Sequence, residues 1–594
     1  MVEAEDDEVH GVEAMLDTLT APVKVVYTVA LEEVKRRMMK WKAAILKEFQ
    51  ALWDAHALTP LSEAERQALE GSGTLFVLPA KGVFTIKPPD EVALPAPESV
   101  AAHADSLFKR KARLLICGNF EGKQGEDSYA GGCQMDLLRT MLARAVHCEW
   151  HGAITDIRNA FLLAPLDTGS VTYALFMPKV FRMAEVPCAD QLFRVDRALC
   201  GFRRSPRLWG LYRDGRLRRG EFDYGSSRAV LRQLRTDENT WASVLLHNEE
   251  IIGYITVYVD DLLCVGTVEA ITAAHTWLAS ESKTSGLAWI GQDEPVRFLG
   301  TELLRSANGF SLFQRGYLKE VLKHHSLLEA PGSLTPCPQN WLLCEVDLEA
   351  VAYSEEILAR AQKLTGELLW LSTRSRPDVM HAVSTMSSLC LRKPVLAERI
   401  GLRTLAYLKE TFDYVLKYGR AECSDRNIVI AYSDASFAPQ GGRSLGCSMV
   451  CYNGVPVAWR CGRQTLVSLS VAEAELIEAI NAVQMLSGIA AFTAELHNEP
   501  PAVRENALRI EHIPGLKASE AVQHELELQG LSGRDPSPGD ELPELEEIPF
   551  QSPPRHTREW RSVSSVSIGV QADVRLPPGE VVMSVQQPLY VTKN

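Results

Sequence analysis

The sequence predicts an α+β fold built from several domains. Short apolar β-like runs bounded by Pro and Gly alternate with stretches of helical spacing through most of the 594 residues. One pair of β-runs is joined by a tight turn that displays two adjacent carboxylates. Beyond Glu499 the chain becomes rich in Pro, Glu, Ser and Gly without sustained periodicity, so 491–594 reads as a low-complexity or disordered tail. The length gives about three or four domains as a starting prior.

Residues 1–29 read as an N-terminal tail, acidic at Glu3, Glu5, Asp6, Asp7 and Glu8 and without the apolar core of a secretory signal. Positions 30 to 52 carry helical spacing, with Trp41, Ile45, Phe49 and Leu52 on one face. Strands are predicted at Leu75-Phe76-Val77-Leu78, Val83-Phe84-Thr85-Ile86 and Ala112-Arg113-Leu114-Leu115-Ile116. Positions 137 to 147 read as helix, and Ala153-Ile154-Thr155-Asp156 as a short buried strand ending in an acid. A basic helix is predicted over 208–217, a hairpin over 251–266, and helices over 317–327 and most of 355–420, broken at Arg376-Pro377-Asp378. A further β-rich unit covers 428–434, 446–452 and 456–459, followed by a helix from Val471 to about Leu486.

Apolar residues make up 46% and charged residues 23% of the chain, which places it among globular proteins rather than fibrous or wholly disordered ones. The net charge of −14 argues against a polyanionic partner until its distribution is read. Arg203, Arg204, Arg207, Arg213, Arg216, Arg218 and Arg219 stand against Asp214 alone, while acid collects at 3–8 and 540–547. A basic middle suits a polyanion-binding core; a solvated helix face between acidic tails fits equally. The thirteen cysteines lack paired spacing. Cys447 and Cys451 are four apart with no second ligand pair at zinc-finger distance, so a zinc site is not predicted and a reducing, cytoplasmic and/or nuclear setting is. No uninterrupted apolar stretch is long enough to predict a membrane partner.

The chemistry is predicted at the hairpin. Ile251-Ile252-Gly253-Tyr254-Ile255-Thr256-Val257 leads into Tyr258-Val259-Asp260-Asp261, and Leu262-Leu263-Cys264-Val265 leads out. Adjacent carboxylates repel and raise each other's pKa; magnesium relieves the repulsion and takes the oxygens as ligands. This is the shape of a two-metal nucleotidyl-transfer centre. A third carboxylate is required, and Asp156 is the candidate: alone it reads as a helix N-cap, but with Asp260 and Asp261 it reads as a ligand. The expected reaction is in-line attack of a primer 3′-hydroxyl on a nucleotide α-phosphate, one ion lowering the hydroxyl pKa and the other neutralising the leaving pyrophosphate.

Four segments, Lys109-Arg110-Lys111-Ala112-Arg113-Leu114, Thr155-Asp156-Ile157-Arg158-Asn159-Ala160-Phe161-Leu162, Leu199-Cys200-Gly201-Phe202-Arg203-Arg204-Ser205-Pro206-Arg207-Leu208-Trp209 and Tyr258-Val259-Asp260-Asp261, resemble the reverse transcriptase of copia-type LTR retrotransposons in order and spacing. The likeness runs through Phe298-Leu299-Gly300, Thr335-Pro336, Arg376-Pro377-Asp378 and Tyr407-Leu408-Lys409, over roughly 30 to 485. It implies a right-hand polymerase, with fingers and palm over 30–305, a mostly helical thumb or connection over 306–424, and a truncated RNase H-like unit over 425–490. It implies Asp156, Asp260 and Asp261 as ligands of two magnesium ions, with manganese as a substitute. It implies that Lys111 and Arg113 contact the incoming triphosphate, the alternative being an exposed basic strand edge. Phe161 would crowd the sugar 2′-position, or else pack in the core. Gly201, Ser205 and Pro206 would shape the nucleotide and template pocket. Tyr258 would lie near the primer end, or fill the palm. The implied partners are an RNA template, a DNA primer and deoxynucleoside triphosphates. Cys200 stands where the family has Tyr, and Arg203-Arg204-Ser205 where Lys-Gln-Ala is usual.

The unit from Ile428 onward resembles the RNase H domain that follows this polymerase. Asp434 ends a strand in Tyr432-Ser433-Asp434, and Glu475 lies on a helix in Ala472-Glu473-Ala474-Glu475-Leu476. The family's aspartate on the next strand is missing, so the pair reads as vestigial. Three functions stand side by side: an RNA-directed DNA polymerase, an inactive remnant that only binds nucleic acid, and a two-metal nuclease using Asp434 and Glu475.

Overall fold

The computed structural model describes residues 11–497 apart from 24–25, 90–106, 122–129, 167–168, 170, 343–352, 420–426 and 440–441, with short strands of backbone at 509–510, 572–576, 579–583 and 592–593. The fold is mixed α/β, in two compact units: 1–131 with 157–220, and 132–156 with 221–594. The predicted tail at 1–29 is folded over much of its length: it holds the helix Val12–Leu16 and the strand Tyr27–Val29, and Leu16, Val23 and Val29 are buried in the core of the first unit, whereas most of 491–594 lies outside the described residues.

In the first unit the predicted apolar stripe becomes the core. Trp41, Ile45, Phe49 and Leu52 of the helix Met38–Asp54 are all buried. Trp41 meets Phe84 edge-on at 5.3 Å, and Phe49 meets Phe193 at 6.2 Å. The single predicted helix is two, because Arg37 (φ −113°, ψ 37°) leaves helical geometry between Leu31–Arg36 and Met38–Asp54. The strands Ala80–Lys87 and Lys109–Ile116 form an antiparallel hairpin with Tyr27–Val29 at its edge. A second sheet runs in the order Leu58–Pro60, Leu192–Val195, Thr172–Phe176, Leu75–Val77. The helix Ser205–Leu217 carries Pro206 in its first turn, where a missing N–H costs nothing.

In the second unit α1 (Met135–His147) leads into β1 (His151–Asp156). β2 (Glu221–Tyr224), β3 (Ser227–Gln233), β4 (Thr240–Leu245), β5 (Ile251–Tyr258) and β6 (Asp261–Gly266) follow, then α2 (Val268–Glu281) and β7 (Ala288–Trp289). They build a seven-stranded sheet in the order β7-β1-β6-β5-β4-β3-β2. Residues 252–257 are buried without interruption, which is why the sequence shows a continuous apolar run there instead of alternation. One set of side chains packs on α1, where Thr256 Oγ1 lies 3.1 Å from the Met141 sulfur and Tyr254 sits edge-on to Trp150 at 5.4 Å.

Next come β8 (Val296–Phe298), β9 (Thr301–Ser306) and β10 (Gly309–Phe313), then α3 (Arg315–His324), α4 (Glu355–Arg374), α5 (Met380–Leu389), α6 (Pro394–Glu410) and β11 (Tyr414–Gly419). The helices share a core of Leu364, Leu368, Val383, Met386, Ile400 and Leu408. The predicted break is real: the Arg376 guanidinium reaches the Asp378 carboxylate at 2.7 and 3.0 Å and the Thr411 carbonyl at 3.0 Å. The predicted helix over 355–420 ends early, because Val415, Leu416 and Tyr418 are buried and β11 pairs with β10. Gly309 (φ 154°) permits that pairing, since a Cβ there would fall 1.9 Å from the Tyr418 carbonyl oxygen.

β12 (Val429–Ser436), β13 (Leu445–Tyr452) and β14 (Val455–Arg463) form an antiparallel meander covered by α7 (Val471–Leu496). Strand 579–583 lies parallel to β12 on its other side. The helix runs ten residues beyond the expected Leu486, because Ile489, Ala490, Phe492 and Leu496 keep its apolar face buried. By length and composition α7 could cross a membrane, a feature the sequence reading did not anticipate; its packing against β12 and β13 accounts for the apolarity.

Arg139 of α1 ties three elements together. It is buried, with Nε donating to Val457 O (2.6 Å) and Nη1 to Thr373 O and Arg374 O (both 3.0 Å), and it pairs with Asp136. Its guanidinium lies 3.6 Å over the Trp459 ring, whose Nε1 donates to Ser372 O at 2.8 Å.

Candidate active site

Register places the acids. β6 pairs with β5 and with β1, so Asp261 faces Tyr258 on one side and Asp156 on the other. Directly opposed residues carry Cβ atoms about 5 Å apart, and like charges there are destabilising. Asp260 follows Val259 in the two-residue turn, adjacent to that row. All three aspartates are half-buried, while Tyr258 and Val259 are exposed at the tip. Asp156 is held by its backbone: its N–H donates to Ser285 Oγ (2.9 Å) and its carbonyl accepts from Ser285 N (3.0 Å). Thr155 Oγ1 and His275 Nε2 contact the same Ser285 carbonyl, at 3.0 and 2.9 Å. Asp156 is therefore the last residue of a strand and not a helix cap. A Cβ at Gly132 would lie 3.5 Å from the Tyr258 ring, so the segment before α1 runs beside it.

Val259 has φ 58°. A β-branched residue in the left-handed region is a backbone outlier, costing on the order of 1–2 kcal/mol. The two-residue hairpin normally reserves such a position for Gly or Asn.

The remaining predicted residues belong to the other unit. Lys111 and Arg113 alternate onto one face of Lys109–Ile116, the first half-buried and the second exposed. Burial, then Arg113 and Lys87, hold the Lys111 ammonium below its usual range. Phe161 is half-buried in the short helix Ala160–Leu163, which packs against Ser205–Leu217. Gly201 (φ 88°) must be glycine, because a Cβ would fall 2.1 Å from the Ile116 carbonyl oxygen. The Ile116 N–H donates to Cys200 O at 2.9 Å and the Gly118 N–H to Gly201 O at 3.2 Å, clamping this loop to the strand end. Ser205 is buried and donates to Leu199 O at 2.6 Å, while Pro206 is exposed. Arg204, one of the basic substitutions, is turned inward: its Nε lies 3.3 Å from Glu121 Oε1, itself buried, and the guanidinium stacks near Phe202 and Tyr173.

The second acidic pair also comes together. Glu475 accepts from the Ala435 N–H, beside Asp434. Burial, then Asp434, push its carboxyl from 4.5 up to about 7, and Glu478 adds to the shift. Sequence reasoning missed Glu478, one turn further along α7 and fully buried. It accepts from Ser448 Oγ and from Asn481 Nδ2 (3.1 Å) and lies 3.8 Å from Arg460 Nε. The signal was there: Glu475-Leu476-Ile477-Glu478 puts both acids on one helix face.

Among the described residues, one group of three ligand-type side chains is gathered within 4.8 Å: His324, His325 and Glu367. Lys363 Nζ stands 2.6 Å from His324 Nε2, a cation that any metal would have to displace. The three aspartates are aligned by backbone register and are not gathered that tightly. Their chemistry fits a hard divalent cation: acceptor-only oxygens from neighbouring strands, with opposed charges that need compensation.

Residues 100–339 match the family described as "Reverse transcriptase (RNA-dependent DNA polymerase)". The chain is 24% identical over 472 residues to the "Retrovirus-related Pol polyprotein from transposon TNT 1-94" of Nicotiana tabacum, covering 76% of this chain and 32% of that one. It is 26% identical over 407 residues to the corresponding polyprotein from transposon RE2 of Arabidopsis thaliana, covering 67% and 26%. Residues 100–339 thus match a reverse transcriptase domain, and most of the chain is similar to Pol polyproteins of plant copia-type transposons. It spans about a quarter to a third of the length of these relatives. A solved structure titled "Structure of the foamy viral protease-reverse transcriptase dRH in complex with ds DNA" overlaps 82% of this chain and 68% of its own. That overlap has 13% identity and a TM-score of 0.22, too low to bear on the fold.

Proposed function

We propose that this chain is an RNA-directed DNA polymerase, extending a DNA primer on an RNA template. The observation that carries the reading is the register: Asp261 stands opposite Asp156, and Asp260 occupies the adjoining turn. Asp156, Asp260 and Asp261 would hold two magnesium ions, or manganese in their place. Bound there, the cations would make the primer 3′-hydroxyl more acidic and offset charge on the pyrophosphate. The chain's own groups do the rest. The aspartates fix where cation and triphosphate meet, and Ser285 keeps Asp156 from turning away. Tyr258 offers a ring beside the primer end. Lys111 and Arg113 supply cationic donors to the triphosphate, Phe161 crowds the sugar 2′-position, and the loop at Gly201, Ser205 and Pro206 borders the nascent base pair. In this reading the seven-stranded sheet is the palm, the first unit holds the fingers, and α4–α6 belong to the thumb or connection. The meander β12–β14 with α7 is an RNase H-like unit whose nuclease centre is vestigial.

Primer extension on an RNA template with magnesium tests the reading. Extension by the wild-type chain, abolished by Asp260→Asn with Asp261→Asn, is the expected result. No extension alongside salt-sensitive RNA binding would instead mark a binding remnant.

A further inference from the structure

The unit at β12–β14 contains three thiols that the polymerase reading does not use, and two of them stand opposite one another. Cys447 of β13 and Cys461 of β14 are directly opposed across the antiparallel ladder, and the row continues to Asp434 on β12. Their side chains share one face, and the two thiols are hydrogen-bonding neighbours. Opposed antiparallel residues have Cα atoms about 4.5–5.5 Å apart, inside the 4.4–6.8 Å span of protein disulfides. Cys447 is exposed and Cys461 half-buried, whereas Cys133, Cys264, Cys337, Cys390 and Cys451 are buried. Cys447 and Cys451, four apart in sequence, are not partners. Four residues along a strand place both on the same face but about 13 Å apart, too far for a bond.

We propose that Cys447 and Cys461 form a reversible cross-strand disulfide when the chain meets a peroxide. The Cys447 sulfur, the more accessible, attacks one peroxide oxygen. The O–O bond breaks, the other oxygen leaves as water with the thiol proton, and a sulfenic acid remains. The Cys461 sulfur then attacks that sulfur, the S–O bond breaks, and the second oxygen leaves as water with the Cys461 proton. Two thiols lose two electrons and hydrogen peroxide gains them. Reduction by an added dithiol reverses the bond by exchange. The crosslink forms without moving a strand, because the ladder already holds both Cβ atoms in place. It locks β13 to β14 beside Asp434 and the helix face bearing Glu475 and Glu478. The inference is independent of whether the polymerase is active.

The test is peptide mapping by mass spectrometry of the full chain, reduced and then exposed to hydrogen peroxide, with remaining thiols capped by a maleimide. A crosslinked peptide joining Cys447 to Cys461, lost on dithiothreitol treatment, is expected. It should disappear in Cys447→Ser and in Cys461→Ser and persist in Cys188→Ser, an exposed cysteine elsewhere. Full maleimide capping of both thiols after peroxide would overturn the proposal. So would their conversion to sulfinic acid, or pairing of either with another cysteine. The wild-type map decides the matter even if a variant folds poorly.

Discussion

The two acidic centres of this chain are built from the same materials and solve the charge problem in opposite ways. At the hairpin, Asp156 and Asp261 face each other at the ends of adjacent strands, half-buried, with Asp260 in the turn. At the meander, Glu475 and Glu478 belong to the buried face of α7, beside the exposed Asp434 of β12. Glu478 is fully buried against Ser448, Asn481 and Arg460, and Glu475 is driven toward its protonated form. The first arrangement sets the acids in register along a strand row that ends at a turn. The second satisfies them internally, with a protein cation and a retained proton.

The largest expected effect tests that division at the hairpin. Asp260→Asn with Asp261→Asn should lower primer extension by at least about a thousandfold while leaving the melting temperature unchanged or raised, since it removes opposed charge. Persistent extension would move the activity elsewhere. Next comes Arg139→Ala, which strips α1 of its ties to Val457, Thr373 and Arg374. A loss of about 3–5 kcal/mol in urea unfolding is expected, the scale of removing one partner from a buried charged network. Because α1 packs under the hairpin and against β14, proteolysis should open both regions together; separate opening would mean that the centres are mechanically independent. Gly201→Ala, in the other unit, should cost about 2–3 kcal/mol through the clash with Ile116 and the positive φ. It should leave the pH dependence of unfolding untouched.

The smallest effect is the most diagnostic for the meander. Glu475 is held at about 7, by burial and then Asp434, against an ordinary 4.5. Between those values the unfolded chain is ionised while the folded chain keeps the proton. Stability is therefore highest below about pH 4.5 for this group, falls as pH rises toward 7, and levels off above it. Glu475→Gln should flatten that slope and add about 1–2 kcal/mol at pH 8, read from urea midpoints across pH. An unchanged slope would show that Glu475 is not the strained acid.

Much of this was legible in the sequence where a pattern had one physical meaning. The stripe Trp41, Ile45, Phe49, Leu52 could only be a buried helix face, and it is. The run before Asp260 could only be a strand covered on both sides. The elements that escaped were decided by distant partners. The strand at Val415, Leu416 and Tyr418 exists because β10 offers an edge to it. Arg204 reads as part of a basic stretch suited to a polyanion, but it is drawn inward by Glu121, whose burial no local pattern announces. Glu478 escaped the sequence pattern because the resemblance places a further acid on the next strand, whereas here the buried carboxylate comes from the same helix. The pairing of Cys447 with Cys461 depends on register, and a slip of one residue would send them to opposite faces.

Val259 bears on how the hairpin can change. A valine with φ 58° does not favour its own conformation; six register pairs from Gly253–Gly266 to Tyr258–Asp261 hold it there. The tip is thus a loaded spring whose catch is the ladder behind it. Glycine at 259 would release the strain and make the turn easier to form, but it would also loosen the direction in which Asp260 points. Substitutions along β5 and β6 that weaken the catch should therefore disturb the tip before they unfold the sheet, so the aim of the carboxylates is the first thing this domain stands to lose as its sequence drifts.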